Sequence, residues 1–425
     1  MKNWEKKKLG DICGFVRGPF GGSLKKNIFK PEGYAVYEQQ HAIYDQFDDI
    51  RYFIDETKFN EMKRFELNSG DLIMSCSGTM GKIAIVPENI KKGIINQALL
   101  KLTPSKKIST IFLKLWMQSE SFQDSLKEYS GGAAIQNVAS VAILKQIEIP
   151  LPPLNEQERI VSILDECFAA IDKAKTNAEQ NLKNAKELFE SYLQGVFENG
   201  NWETKELREL TTILGDGLHG TPKYTIDGDY YFINGNNLND GKIEFKENTK
   251  RVNVDEFNKH KKNLTDRTVL VSINGTLGNV AFYNGEKIIL GKSACYFNLK
   301  ENVDKGFVKY VLSSRYFIDY AHREATGATI KNVSLKSMRE FKVPLPPLKE
   351  QQTIVCQLDA LRAETQKLEA VYQKKIADLE ELKKSILQKA FAGELRSPEG
   401  AAYDSEAATP LAKKTPSSIT SPEGA

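Results

Sequence analysis

The sequence predicts a duplicated α+β protein, in which two globular domains of mixed strands and helices are each followed by one long helix. Residues 150–166 align without a gap on residues 344–360, and 11 of these 17 positions are identical. The apolar spacing after each copy is helical, whereas the segments before each copy carry short apolar runs bounded by glycine and asparagine. The chain is therefore an internal duplication with an offset of 194 residues in its helices.

The repeat divides the 425 residues into five segments. These are a first globular domain at 1–150, a central helix at 151–199, a second globular domain at 200–344, a C-terminal helix at 345–396 and a tail at 397–425. The tail is rich in alanine, serine, threonine and proline, so we expect it to be disordered.

Each globular domain combines strands with modest helices. Strands are predicted at 71–75, 82–86, 268–273 and 279–283, and helices at 111–129 and 306–324. The Gly78-Thr79 and Gly275-Thr276 pairs are expected in turns, because glycine adopts positive φ at little cost. Both domains are thus predicted to be α+β.

A long helix is predicted to begin within segments 150–157 and 344–351, which we call the elbows. Each elbow reads Pro-Leu-Pro-Pro-Leu-x-Glu-Gln, in which prolines end the preceding strand and glutamate and glutamine enter the first helical turn. Apolar residues then recur every three or four positions for about 40 residues, or roughly 60 Å. They are Ile160, Leu164, Ile171, Ala178, Leu182, Ala185, Leu188, Tyr192 and Val196 in the first helix, and Ile354, Leu358, Leu361, Leu368, Tyr372, Ile376, Leu379, Leu382, Ile386 and Ala390 in the second. One apolar stripe on so long a helix requires a partner, so we expect an antiparallel coiled coil with a pseudo-two-fold relation between the halves.

Composition limits the class of protein. With 40% hydrophobic and 27% charged residues, the chain can form two or three domains with cores. No apolar run approaches the roughly 20 residues of a membrane span, and the first residues lack the apolar stretch of a signal peptide, so we expect a cytoplasmic protein without a membrane partner. The five cysteines are scattered without a CxxC pair or a zinc-type histidine pattern, which argues against a metal site and for reduced thiols.

The net charge of +3 is unevenly distributed. Lysine and arginine outnumber aspartate and glutamate by 21 to 17 in residues 1–150 and by 22 to 18 in 201–343, whereas 151–200 has 5 basic against 9 acidic residues. Mildly basic globular domains permit a nucleic-acid partner without requiring one.

Three short motifs suggest enzymatic sites but lack the necessary context. Gly215-x-Gly217-x-x-Gly220 is followed by Thr-Pro and not by the helix that would bind a phosphate. The stretch 285–293 has five residues between its glycines where a Walker A loop has four. The string 55–58 has no second acidic partner for a nuclease site. We therefore expect a non-catalytic chain, and a nucleotide-dependent enzyme is the least supported interpretation.

The chain has the order variable domain, elbow and long helix twice, and the second helix ends in Ala-Phe-Ala-Gly-Glu-Leu at 390–395. This organisation resembles the specificity subunit of type I restriction-modification systems. The likeness covers roughly residues 1–395. The segment 216–224 also resembles a loop of many such recognition domains, whereas the first domain has Arg-Gly-Pro-Phe-Gly-Gly-Ser at 17–23 in the equivalent region. This departure indicates that the two domains read different half-sites.

The resemblance implies a function and a set of partners. In that family each globular domain is a target recognition domain that reads half of a bipartite double-stranded DNA site, and the helices space the halves and dock methyltransferase subunits. The resemblance therefore implies a non-catalytic specificity subunit with two methyltransferase partners. Where restriction/translocase subunits are present, it implies two of them. No cofactor is expected in this chain, because S-adenosylmethionine and ATP with Mg would belong to the partner subunits.

Polar loop clusters are the candidate DNA contacts, because asparagine and glutamine pair with adenine edges and arginine and lysine with guanine or phosphate. They are Arg17, Lys25, Lys26, Gln39, Gln40, His41, Gln136 and Asn137 in the first domain, and His219, Lys223, Asn234, Asn236, Asn237, Lys331 and Asn332 in the second. Each is equally well explained as a solvated turn residue, and His219 as a side chain that stabilises its own loop. The candidate partner contacts lie in the elbows and are Pro152, Pro153, Glu156, Gln157, Pro346, Pro347, Glu350 and Gln351.

A protein scaffold is the alternative function, in which the coiled coil is the purpose and the globular domains bind proteins. The two basic domains favour DNA recognition. Salt-sensitive, sequence-dependent DNA binding would separate the two hypotheses.

Overall fold

The computed structural model describes residues 4–128, 140–327 and 329–395. The chain divides into two compact units: unit 1 is Met1–Ala174 with Asp378–Ala425, and unit 2 is Lys175–Ala377. Each long helix therefore contributes residues to both units. None of the helices in the described ranges is long and apolar enough to cross a membrane.

Unit 1 contains nine strands and the first seven α-helices among its described residues, the last of which continues into unit 2. The strands are β1 Lys6–Lys8, β2 Cys13–Arg17, β3 Tyr34–Tyr37, β4 Tyr52–Ile54, β5 Leu72–Ser75, β6 Ile83–Ile85, β7 Gly93–Ile95, β8 Leu99–Pro104 and β9 Glu148–Pro150. The helices are α1 Leu9–Ile12, α2 Gln39–Tyr44, α3 Glu56–Glu61, α4 Thr110–Gln118, α5 Glu120–Glu128, α6 Val141–Leu144 and α7 Leu154–Asn199.

Unit 2 repeats this order with additional short strands. Its strands are β10 Thr204–Glu206, β11 Thr211–Asp216, β12 Tyr224–Thr225, β13 Tyr230–Ile233, β14 Leu238–Asn239, β15 Lys242–Ile243, β16 Arg251–Val252, β17 Thr268–Ser272, β18 Val280–Phe282, β19 Ile288–Leu290, β20 Ala294–Leu299 and β21 Lys342–Pro344. Its helices are α8 Leu207–Leu210, α9 Val254–His260, α10 Lys305–Ser313, α11 Arg315–Glu324, α12 Leu335–Glu340 and α13 Leu348–Phe391, whose end belongs to unit 1.

The sheets of the two units have matching topologies. An antiparallel sheet has the order β2-β8-β5-β6 in unit 1 and β11-β20-β17-β18 in unit 2. A second sheet contains one parallel pair, β3 with β7 and β13 with β19 respectively. A two-stranded ribbon, β1 with β9 or β10 with β21, leads into each elbow. Both units are α+β, which confirms the predicted fold class.

The predicted helices at 111–129 and 306–324 are each broken into two. Ser119 separates α4 from α5, and Ser314 separates α10 from α11. Both serines have extended backbone, with ψ of 153° and 159°. The Ser119 hydroxyl donates to the Trp116 carbonyl and that of Ser314 to the Val311 carbonyl, both at 2.6 Å. The side chain thus satisfies a helix-end carbonyl that the next turn would otherwise bond.

The two long helices are confirmed, with 46 residues in α7 and 44 in α13. The predicted stripe positions that are exposed instead of buried are Leu188, Tyr192, Leu368 and Leu382. At the end of α7 the buried side chains are Phe189, Leu193 and Phe197, one position further along. Phe189 packs on Tyr310 and Phe197 on Phe307, so the core of unit 2 decides which face of the helix is buried.

Within each unit, segments of the two long helices pack antiparallel. In unit 1, Ile160 and Leu164 share a core with Leu387 and Phe391. Further along α7, the ring of Phe168 lies beneath Lys383, and the Lys383 Nζ is 4.8 Å from the ring centroid. In unit 2, the later α7 residues 189–197 share a core with Ile354 and Leu358 at the start of α13. In both cases later α7 residues meet earlier α13 residues, as an antiparallel pair requires.

Candidate nucleic-acid interface

A basic groove of about 830 Å³ opens beside the end of β2 in unit 1. Its charged lining residues are Arg17, Lys58, Glu61, Arg64 and Lys145. The one carboxylate, Glu61, accepts a hydrogen bond from Lys58 Nζ at 2.8 Å. The groove therefore carries an excess of positive charge, as a surface that binds phosphates requires.

The loop that follows β2 is held close to the sheet. Gly18 donates its N–H to the Leu99 carbonyl at 2.9 Å, and a Cβ at this glycine would clash with the Asn96 carbonyl oxygen. Only glycine permits this close approach. Pro19 is buried, whereas the next side chain, Phe20, is 92% exposed at the rim of the groove.

Arg17 and Asp216 occupy equivalent positions in the two units. Arg17 is the last residue of β2 and pairs with Leu100 of β8, while Asp216 is the last residue of β11 and pairs with Cys295 of β20. A side chain of opposite charge thus stands at the same strand end in each unit. Phe20 and His219 each follow three residues later in the chain.

The registers of the neighbouring strands establish this equivalence. In unit 1, Leu99 directly precedes Leu100, the partner of Arg17, and pairs with Ser75. In unit 2, Ala294 directly precedes Cys295, the partner of Asp216, and pairs with Ser272. Ser75 and Ser272 also accept a backbone N–H from the residue seven positions later, at 3.0 and 2.9 Å. The strand pairings of the two sheets therefore correspond residue by residue around the strand end.

Each charged strand end interacts with a neighbouring side chain. Burial raises the pKa of the Cys76 thiol to about 12, and the adjacent Arg17 guanidinium opposes that shift. In unit 2, Asp216 Oδ2 lies 2.6 Å from His219 Nε2, with 18% of the Asp216 side chain exposed against 72% for His219. The histidine thus holds the carboxylate while its own ring faces solvent.

Unit 2 has a second groove, of about 520 Å³, between β12 and the segment that leads into β16. Its charged lining residues are Glu247, Lys250 and Arg251. Ile226, which follows β12, lines the same groove and is 91% exposed. This groove thus has two cations and one carboxylate in its lining, with an apolar side chain at its rim.

Most of the predicted first-domain candidates lie at the surface, but His41 does not. Its ring is fully buried, Nδ1 accepts the Glu38 N–H at 2.9 Å and Nε2 lies 3.1 Å from the Asp49 carbonyl. The prediction of a DNA contact is therefore wrong for His41, whose side chain closes the α2 loop. The other described candidates are Arg17, Gln39 and Gln40, which are half-buried, and Lys25 and Lys26, which are exposed. Gln136 and Asn137 lie outside the described residues.

In the second domain the asparagine candidates are largely used within the fold. Asn237 is 5% exposed and donates to the Glu244 carbonyl at 3.0 Å. Asn234 Oδ1 accepts the Ser293 hydroxyl, and Asn332 Oδ1 accepts the Asn274 amide, both at 3.0 Å. The candidates that remain exposed are His219, Lys223, Asn236 and Lys331. The buried Asn237 is corrected to a residue that closes the 235–237 turn, where its Oδ1 accepts the Asn234 N–H at 3.0 Å.

The groove residues that sequence reasoning missed are Phe20, Lys58, Arg64, Lys145, Ile226, Lys250 and Arg251. The signal for Phe20 was an aromatic residue enclosed by Gly-Pro and Gly-Gly, which is typical of a loop tip. The cations come from three separate parts of the chain, and no local pattern brings them together.

The elbow glutamines face inward. Gln157 is completely buried: its Oε1 accepts the Ser109 N–H at 2.8 Å, and its Nε2 donates to the Pro152 and Lys107 carbonyls at 2.8 and 3.2 Å. Gln351 repeats all three bonds in unit 2 with Asp304, Pro346 and Asn302. The predicted partner contact is therefore replaced by an internal role for both glutamines.

The remaining elbow residues are divided between inside and outside. Pro152 and Pro346 are buried, whereas Pro153 and Pro347 are exposed. Glu156 is half-buried and pairs with Arg159 at 2.8 Å. Glu350 is exposed and accepts the Trp202 indole N–H at 2.9 Å. A partner can therefore reach the third proline, Pro153 or Pro347, and the glutamate of each elbow.

The short glycine and acidic motifs of the sequence have structural explanations. Gly215 lies in β11, and no helix follows Gly220 before β12. Asp55 is the N-cap of α3 and accepts the Lys58 N–H at 2.9 Å. Gly78 and Gly275 have φ of 65° and 79°, which confirms the predicted turns. In the described part of the chain no three His, Cys, Asp or Glu side chains are grouped as a metal site would need.

The family is decided by a comparison with known protein families. The model of the type I restriction modification DNA specificity domain matches residues 1–183 and again residues 199–378. The chain belongs to this family. Specificity subunits of the family recognise DNA and are not themselves catalytic, so DNA recognition within a type I restriction-modification complex is the function of this chain.

Individual specificity subunits support this assignment. The chain is 24% identical over 422 residues to the type I restriction enzyme MjaVIII specificity subunit of Methanocaldococcus jannaschii, with 93% of each chain covered. It is 27% identical over 322 residues to the EcoKI specificity subunit of Escherichia coli K12, which covers 69% of this chain and 67% of the relative.

Two solved structures share the fold of this specificity subunit. A chain from a type I restriction-modification structure that addresses complex assembly and conformational transition has a TM-score of 0.71 at 19% identity, and 93% of this chain and 99% of that one are covered. The HsdS subunit of Thermoanaerobacter tengcongensis has a TM-score of 0.60 at 19% identity, with 93% and 98% covered. At these identities the likeness concerns the fold alone.

Proposed function

We propose that each unit reads one half of an interrupted, asymmetric DNA site, and that the strand-end residues Arg17 and Asp216 help to set the two half-sites apart. This proposal rests on the opposite charges of Arg17 and Asp216 at equivalent positions of the two units. A guanidinium bonds the acceptors of a guanine edge, whereas a carboxylate accepts the amino group of cytosine. Two copies of one scaffold with opposite charges at one position would therefore prefer different bases.

The groove cations would supply the sequence-independent contacts. Lys58, Arg64 and Lys145 line the groove of unit 1, and Lys250 and Arg251 line that of unit 2. Cations of this kind bind phosphates and set the register in which side chains meet base edges. Their contribution would decrease as salt increases, because each phosphate contact releases counterions.

The repeated features would bind the partner that is common to both halves. Pro153 and Glu156 of the first elbow match Pro347 and Glu350 of the second, so two copies of one methyltransferase subunit would dock in equivalent ways. Two restriction/translocase subunits would join where the complex cleaves DNA. S-adenosylmethionine and ATP with Mg would be bound by these partners, with no cofactor in this chain, and the complex would act in the cytoplasm.

Genome-wide methylation mapping tests the proposal. Cells would express the chain with its neighbouring methyltransferase, either intact or with residues 1–150 replaced by the first domain of another specificity subunit. An interrupted motif of which one half changes on replacement is the expected result. An uninterrupted motif, or no methylation although the methyltransferase is present and soluble, would favour the protein scaffold instead.

A further inference from the structure

We propose that Phe20 and Ile226 are apolar wedges that insert between DNA base pairs, one in each half-site. This inference rests on the proposed reading of a bipartite site by the two units. It adds a means of recognition that needs no hydrogen bond to a base.

The two side chains differ from the other large apolar residues in their exposure. Phe20 is 92% and Ile226 is 91% exposed, whereas Tyr44, the next in the described part of the chain, is 72% exposed. One wedge candidate is found in each unit. Singly exposed apolar residues are common, so the exposure becomes informative only together with the support and charge around it.

Both side chains are presented by anchored backbone. On one side of Phe20, Gly18 is pressed against the Asn96 carbonyl; on the other, Ser23 donates its N–H to the Phe20 carbonyl at 2.8 Å. A wedge needs such support, because a freely moving side chain would lose its insertion energy as conformational entropy.

Ile226 is supported in a different way. Thr225 immediately before it pairs with Arg251 in the β12–β16 ladder. Gly228 after it lies so close to Val252 that a Cβ would meet the Val252 carbonyl oxygen. The tip of this loop is therefore attached to β16 on both sides of the isoleucine.

The charge around the Phe20 tip favours double-stranded DNA as its occupant. The Phe20 groove has four cations and the single carboxylate Glu61, which is paired with Lys58. The Ile226 groove has Lys250 and Arg251 against Glu247, and the exposed Asp227 and Asp229 follow the isoleucine in the chain, so this tip has no net positive charge. Cations that bracket an apolar tip can hold the phosphates on either side of an opened base step.

The expected effect on DNA follows from the side-chain chemistry. Phenylalanine and isoleucine are among the residues that enter base steps, unstack them partially and bend the duplex. The phenylalanine ring would also stack on the exposed base face, whereas the isoleucine would act by shape. Steps that unstack easily would then be favoured at positions without a direct base contact.

Binding and bending measurements on the full chain test the wedges. The probe is a duplex that the wild-type chain selects from a randomised pool, labelled at both ends for energy transfer. F20A and I226A should each weaken binding about tenfold and reduce the bend, with the salt dependence unchanged, because no phosphate contact is lost. Tyr44→Ala and Val371→Ala, at other exposed apolar positions, are the matched controls and should bind as wild type does.

The possible outcomes test the reading of a bipartite site and the wedge role of Phe20 and Ile226 separately. If the wild-type chain selects no sequence, the proposed function fails and the wedges fail with it. If it selects a sequence but F20A and I226A bind and bend the duplex as wild type does, only the wedges are overturned. Equal losses in the control variants would also overturn them, as would a loss of binding to anionic lipid vesicles without any change in DNA affinity.

Discussion

The Oε1 atom of Gln157 lies 2.8 Å from the backbone nitrogen of Ser109 and accepts its hydrogen bond. Ser109 is the N-cap of α4, and Gln157 stands in the first turns of α7. One amide side chain therefore joins the long helix to the globular part of unit 1. Because Gln351 and Asp304 repeat the bond at 2.8 Å in unit 2, the duplicated glutamine is explained by folding rather than by a partner.

We expect Gln157→Ala to lower the free energy of unfolding by about 1–3 kcal/mol, because the Ser109 N–H would lose its partner in a buried place. Chemical denaturation of the full chain measures this change. Glu158→Ala, at the adjacent exposed position, should change stability by less than about 0.5 kcal/mol. Equal effects of the two substitutions would contradict the role assigned to Gln157.

The cross-helix pairs have diverged in a complementary way. Lys383 lies over Phe168 in unit 1 and Arg362 over Phe189 in unit 2, with cation-to-centroid distances of 4.8 and 5.2 Å. The offset of 194 places Phe168 on Arg362 and Phe189 on Lys383. The first copy thus supplies both aromatic rings and the second copy both cations, so pairing of unlike copies is favoured over pairing of like copies.

Phe168→Arg introduces the residue that the second copy has at this position and places it opposite Lys383. We expect a loss of about 1 kcal/mol or more, from the missing ring and the like charges. Adding Lys383→Phe should restore part of the loss, because a cation and a ring then face each other with exchanged positions. A double variant that is no more stable than Phe168→Arg alone would argue against this pairing rule.

Arg17→Ala should relax the preference for one base pair in the half-site read by unit 1. We expect a loss of about 1–3 kcal/mol of discrimination at that position and no change in the other half-site. Methylation mapping gives the motif, and competition binding gives the size of the effect. Lys26→Ala, at an exposed cation, should weaken binding to all sequences alike, and a similar result for both variants would remove Arg17 from base recognition.

The cysteines should divide by reactivity. Burial raises the pKa of Cys13 and Cys76 to about 12, and that of Cys295 is raised further by burial and by the nearby Asp216. The thiolate is the reactive species, so these three should be labelled only after unfolding. Cys356 is exposed and Cys167 half-buried, so a thiol reagent should label Cys356 first, and Cys356→Ser should remove this first step.

Fast labelling of Cys76 in the native chain would contradict the complete burial of this thiol directly after β5. Mass spectrometry of peptides after timed labelling identifies which thiol reacts. The unfolded chain, in which all five thiols are exposed, provides the control for intrinsic reactivity.

The sequence by itself determined the duplication, the two long helices with their elbows and the α+β class. These features depend on local chemistry: proline ends a strand, glutamate and glutamine begin a helix, and a regular apolar spacing maintains it. The turns at Gly78 and Gly275 were predictable for the same reason, since the low cost of a positive φ is a property of glycine itself.

Only the tertiary structure decided which of the polar loop residues face the solvent. His41 and Asn237 looked like surface residues, but each side chain is buried and bonds a backbone carbonyl eight or seven positions further along the chain. The groove cations Lys58 and Lys145 were missed because they are separated by 87 positions and meet only when the sheet forms. The predicted apolar stripe was wrong by one residue at the end of α7. Phe189 and Phe197 are buried there because they pack against aromatic side chains of α10, which the residue spacing within α7 does not show. Burial and charge clustering are properties of contacts between segments, which local residue patterns do not contain.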